Sequence, residues 1–157
     1  MRNGLIGLLL LLLWGCAGGT PPPAPVVEAE ALTPTPSAAE LRASAALLPG
    51  VEIDPGEGLT LRYPGERLFS AGAALPLAGG VEMLEPLADW LAASGRARWR
   101  GTVRAATDVS PEYDRQLAQA RAELLGRYFA NRGISGDKLA LTAEGGAGAP
   151  FELELRE

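Results

Sequence analysis

The chain has 157 residues, enough for about one domain, with 14 Lys+Arg against 19 Asp+Glu and a formal net charge of −5. One cysteine and no histidine exclude a Ser-His-Asp or Cys-His triad, a His-ligated metal site and an intrachain disulfide, and no metal or other cofactor is expected. The acidic balance argues against nucleic acid as a partner, and Lys138 is the single lysine available to a Ser–Lys catalytic pair.

The first element is an address. Leu5 to Trp14 is an uninterrupted apolar run behind the single charge of Arg2. Ten helical residues rise about 15 Å, roughly half of a hydrocarbon core that takes about 20 residues to cross, so the run fits the h-region of a signal peptide rather than a span. Leu13-Trp14-Gly15-Cys16 follows and resembles the bacterial lipobox, although Trp14 stands where a small residue is usual. The resemblance implies cleavage of a signal peptide at residues 1–15 and acylation of Cys16, which would anchor the chain to a membrane. Loss of Arg2 takes the charge from −5 to −6. Ala17 after the cysteine, by the sorting habit of enteric bacteria, implies the outer membrane.

Residues 16–49 read as a tether. Six prolines between Pro21 and Pro36, spaced by Ala, Thr and Glu, predict an extended chain that cannot bury enough surface to fold. At about 3.1 Å per residue it would reach up to roughly 100 Å. Ser37-Ala38-Ala39-Glu40 matches a capping box. With Leu41, Ala45 and Leu48 at helical spacing, it predicts a short helix ahead of the domain.

The globular part is expected over residues 50–157. Val51 and Ile53, then Leu59, Leu61 and Tyr63, alternate with polar neighbours around an Asp54–Gly58 turn and predict a hairpin. Val81, Leu84, Leu87, Ala88 and Leu91 predict a helix ending at Ser94-Gly95, which Pro86 should kink unless it lies in the first regular turn. Alternation from Ala97 to Arg104 predicts a strand. Its arginines Arg96, Arg98, Arg100 and Arg104 share one face, which is read as solvated and paired across strands with Glu152 and Glu154. Ser110-Pro111 is a helix start, and that helix should run to Asn131 and stop at Gly133. Leu139 to Ala143 and Phe151 to Leu155 predict two last strands. The order β-β-α-β-α-β-β, with single apolar faces, predicts an α/β two-layer sandwich: a mixed sheet with helices on one face.

On the second helix, Leu117, Leu124 and Tyr128 mark one stripe at about 100° per residue, and Arg121 falls on it. A guanidinium on the core side is costly unless paired. Asp108, between a strand end and a helix start, is its candidate partner, and strand ends with helix N-termini are also where anions bind. The residues leave open an internal Asp108–Arg121 salt bridge and a ligand site.

Several landmarks together carry a resemblance. They are Leu68-Phe69 before small residues and Leu75, Thr107-Asp108, and Tyr113-Asp114-x-x-Leu117-Ala118-x-x-Arg121-Ala122. Tyr128-Phe129, Gly133-Ile134, Asp137-Lys138-Leu139, Gly146 and Pro150 continue them. From about Val51 to Pro150 the chain resembles the OmpA-like peptidoglycan-associating domain, and with its lipobox it resembles a Pal-like outer-membrane lipoprotein facing the periplasm. The resemblance implies a non-catalytic module that binds peptidoglycan, Asp108 receiving the ammonium and Arg121 the carboxylate of a diaminopimelate stem residue, with Thr107 helping orientation. It departs from the family at Ala105 and Ala106, in the shorter loop 109–112, at Asp114 and Ala118, and at Ala147 and Ala149. Because secondary donors and acceptors are lost there, the alternative is a domain that has lost wall binding and serves an envelope secretion or motility complex. A wall hydrolase is disfavoured: no Gly-x-Ser-x-Gly and no glycosidase-like carboxylate pair is present.

Overall fold

The computed structural model describes residues 36–56 and 58–156. The signal peptide, Cys16 and most of the tether lie outside the described residues. Helix α1 (Ala38–Ala45) opens on the expected capping box: the Ser37 side chain accepts from Glu40 N–H, and Glu40 accepts from Ser37 N–H at 2.8 Å. Those hydrogen bonds hold the Glu40 carboxyl below its usual range.

α1, expected as a short helix ahead of the domain, packs on its core. Leu41 and Ala45 are buried in the same core as the sheet. The Arg42 guanidinium donates to the carbonyls of Asp54, Gly56 and Gly58 at 2.8, 3.1 and 2.6 Å, and Trp90 Nε1 donates to Ser44 Oγ. One buried leucine and one many-donor arginine are enough to make a short helix part of the fold. Among the described residues the sheet, helices and core are complete within 36–156.

Strands β1 (Glu52–Ile53), β2 (Thr60–Tyr63), β3 (Arg98–Ala105), β4 (Leu139–Gly145) and β5 (Phe151–Arg156) form one sheet in the order β1-β2-β5-β3-β4. Only β3 and β4 run parallel, and α3 (Pro111–Ala130) is their crossover, as parallel neighbours require. With α2 (Ala78–Ala93), this is the expected α/β two-layer sandwich. Leu61, Tyr63, Trp99, Val103, Phe151 and Leu153 meet Leu84, Leu87 and Leu91 of α2 and Leu125 and Phe129 of α3 in one core. Gly101 leaves room in that layer, since a Cβ there would lie 2.4 Å from Leu141 Cδ2. Among the described residues no helix is long and apolar enough to cross a membrane.

The opposite sheet face is a charge ladder, as expected for part of its length. Arg100 faces Glu154 in register and pairs with it at 3.8 Å. Arg104 pairs with Glu144 and Glu152, and Arg62 with Asp54 and Glu152. Arg98 departs from the expectation: its register partner is Arg156.

Two details of the helices also differ. Val81 is exposed, while Gly80 is the buried residue of the first turn of α2. A Cβ on Gly80 would lie 2.6 Å from the Leu68 carbonyl oxygen, so the helix start sits directly on the Leu68 backbone. The helix also continues across Pro86. Gly80→Ala is expected to destabilise by roughly 1–3 kcal/mol, because backbone rather than a side chain must move. Gly79→Ala, whose Cβ meets nothing within 4 Å, is expected to be neutral or stabilising by up to about 1 kcal/mol. Urea unfolding midpoints of the two variants check this.

Candidate functional site

The site lies at the C-terminal end of β3, where the chain turns through residues 106–110 into α3. Ser110 caps the helix, its Oγ accepting from Tyr113 N–H at 3.1 Å, and Pro111 follows in the first turn. The buried residues of α3 are Asp114, Leu117, Ala118, Arg121, Ala122, Leu125 and Phe129. The buried stripe is thus centred nearer Leu125 and Phe129 than the expected Leu124 and Tyr128, which are half-buried. Arg121 lies within it at 4% exposure.

Arg121 is held by main chain. Nε donates to Ala73 O at 2.9 Å, Nη1 to Arg104 O at 3.1 Å and Nη2 to Ser70 O at 3.0 Å. The guanidinium carbon lies 4.6 Å from the centre of the Phe69 ring, a cation–π contact. Burial pushes the guanidinium below its ordinary value, and the nearby Tyr113 acts the other way. Among the described residues no carboxylate forms an ion pair with it, so the internal Asp108–Arg121 salt bridge is absent. A guanidinium has five N–H donors. Three are committed to carbonyls, leaving two and a full positive charge.

One of the carbonyl partners, Arg104, comes from β3, and the other two, Ser70 and Ala73, come from a tight loop between β2 and α2. Phe69 and Pro76 bridge its ends, and Leu77 N–H donates to Leu68 O at 2.8 Å. Tyr113 adds a tie from α3, its hydroxyl donating to Gly72 O at 3.3 Å. The end of β4 closes the other side. Gly146 N–H donates to Ala105 O, and a Cβ on Gly145 would lie 2.9 Å from Arg115 Cγ and 3.1 Å from Arg115 N.

The other expected site residues divide. Asp108 is exposed in the loop, four positions after Arg104, whose carbonyl Arg121 holds. Thr107 turns inward: its N–H and hydroxyl both donate to Asp114 Oδ1, at 2.9 and 2.6 Å, and its oxygen accepts from Val109 N–H at 3.3 Å. Thr107 therefore shapes the loop that presents Asp108. Asp114, 7% exposed, is the residue that sequence reasoning missed. It stands two helical turns before Arg121 on the same stripe, and that spacing was the available signal. The carbonyls that hold Arg121 have no sequence signal, because every residue carries one.

No known family profile matches the sequence, and no curated protein matches it. Solved structures do. A MotB-like protein from Desulfovibrio vulgaris aligns with a TM-score of 0.62 at 20% identity, covering 76% of this chain and 90% of that one. The cell wall anchor of the T6SS from Pseudomonas aeruginosa aligns at 0.54 and 16% identity, covering 78% and 98%. An outer membrane protein from Borrelia burgdorferi B31 aligns at 0.54 and 14% identity, covering 68% and 97%. At these identities the likeness is one of fold, and the fold is the expected OmpA-like one.

Asp114→Ala is expected to cost about 1–3 kcal/mol, since the Thr107 N–H loses its acceptor in a half-buried place. Asp114→Asn keeps an acceptor oxygen and is expected to cost less. Thermal unfolding of both variants measures the order.

Proposed function

We propose that this chain, built on an OmpA-like fold, is a non-catalytic cell-envelope protein that binds peptidoglycan and ties it to the outer membrane through a lipid on Cys16. The observation that carries the reading is the buried Arg121 guanidinium at the C-terminal end of β3. It is fixed by three carbonyls, and no carboxylate among the described residues neutralises it. Such a cation is suited to an acceptor from outside the chain. A carboxylate of a diaminopimelate stem residue would take the two remaining N–H donors as charge-assisted hydrogen bonds. Asp108, exposed on the same loop system, would receive the ammonium group of that zwitterionic centre. Thr107, locked to Asp114, would hold the loop that carries Asp108 and help orient the ligand. The wall-associated description printed for the T6SS anchor, whose fold this chain shares, supports the same reading.

The lipid on Cys16 and the outer-membrane location belong to this proposal and rest on the lipobox and the tether. The tether would give the domain reach into the periplasm, where peptidoglycan lies.

Arg121→Ala confounds binding with folding, because it strands three part-buried carbonyls and vacates the core side of α3. Asp108→Asn is the clean variant, since the residue is exposed. In co-sedimentation of residues 36–157 with purified peptidoglycan, Asp108→Asn is expected to weaken binding about tenfold or more with an unchanged thermal midpoint, and free diaminopimelate is expected to compete. Binding of Asp108→Asn equal to that of the unaltered domain would remove the stem-peptide reading. Release of soluble muropeptides would point to a hydrolase instead. Palmitate labelling of the full chain in cells is expected to vanish in Cys16→Ser, and its persistence would remove the anchor.

A further inference from the structure

We propose that Arg96, Arg98 and Arg156 form a docking site for the phosphate headgroups of an anionic membrane surface, at the end of β3 opposite the Asp108–Arg121 pole. The observation is a break in the charge ladder. Arg62, Arg100 and Arg104 each pair with carboxylates on the open sheet face. Arg98 instead faces Arg156 directly across β3 and β5, an arrangement that costs stability in an isolated sheet. Arg96 joins them from the turn before β3. All three are exposed, and among the described residues none of the three forms an ion pair with a carboxylate. Lys138, held by the carbonyls of Ala92 and Gly95 at 3.0 Å each, adds a cation beside Arg96.

The three arginines rim an open groove of about 370 Å³ whose other walls are Pro36, Leu41, Ala97 and Leu155. A guanidinium rim over an apolar floor suits an amphiphilic anion, with phosphate oxygens on the fork-shaped donors and hydrocarbon on the floor. Position selects a membrane over a free anion. Pro36 lines the groove and stands only 20 positions after Cys16 in the sequence. An eight-residue strand rises about 3.3 Å per residue, so the groove and the Asp108 loop lie roughly 23 Å apart along β3. A domain seated on the membrane by these arginines would hold its Asp108 loop away from the surface. The choice of a membrane over a free anion and this orientation both rest on the proposed anchor; the headgroup contact is tested without it.

The test uses residues 36–157, which lack Cys16, so loss of the anchor reading leaves it intact. Co-sedimentation with phosphatidylcholine vesicles containing phosphatidylglycerol is expected to exceed that with phosphatidylcholine alone and to disappear at about 0.5 M NaCl. At about fivefold per arginine near a charged surface, Arg96→Gln/Arg98→Gln is expected to weaken partitioning about 25-fold. The charge-matched control Arg67→Gln/Arg127→Gln is expected to stay within about twofold. Because Arg98→Gln relieves a like-charge pair, its thermal midpoint is expected to hold or rise, and peptidoglycan binding is expected to be unchanged. Equal binding to both vesicle types, or equal loss in the two double variants, overturns the proposal. Binding of inorganic phosphate without vesicle binding overturns it in favour of a small-anion site.

Discussion

A guanidinium leaves water without ruinous cost only where its donors find acceptors, and Arg121 imposes that condition on one whole end of the domain. Its acceptors are Ser70, Ala73 and Arg104, drawn from the loop before α2 and from β3, while the side chain itself belongs to α3. Three stretches distant in sequence must therefore converge on one group. The closed Leu68–Leu77 loop, the seat of Gly80 on the Leu68 backbone and the Tyr113 tie to Gly72 are all consistent with that convergence. Carbonyl dipoles satisfy donors but leave the charge in place, so this end of the sheet is electropositive at its core. Asp114, about 10 Å away along the helix axis, is a buried opposite charge that is committed to Thr107.

The two faces of the sheet divide the work. One face supplies the apolar layer that α2 and α3 cover. The other is kept in water by ion pairs that are exposed and individually weak, but their register is regular, with Arg100 opposite Glu154 and Thr102 opposite Glu152. Such a face needs no covering layer, and α1, α2 and α3 all contribute to the core on the apolar side. The regularity makes the Arg98–Arg156 position conspicuous, since it alone in the β3–β5 ladder sets like charges opposite one another.

Much of this was legible in the sequence, for physical reasons that differ by element. α3 was readable at both ends because its signals are local: Ser110-Pro111 at the start, and Asn131 with Gly133 at positive φ at the end. β3 and β5 were readable because one face is apolar and the other charged. α1 was read as a helix from its capping box, yet its place in the core was hidden by the proline-rich run before it. Arg121 was found because a cation on an apolar stripe is anomalous. The groups that hold it could not be read, because sequence displays side chains and they are backbone carbonyls. The inward turn of Thr107 escaped for a related reason, since Asp114 reads as an ordinary first-turn acid favoured by the helix dipole.

The last strand carries a consequence for how the molecule comes into being. β5 follows the other four strands in sequence, yet it lies in the middle of the sheet, between β2 and β3, and buries Phe151 and Leu153 completely. A chain emerging from its N-terminus can form its helices early, but its two halves have no common strand to join them until residues 151–156 arrive. The closure entropy for that step falls on the whole intervening length. The domain therefore stays unlocked until residues 151–156 slide between strands laid down well before them.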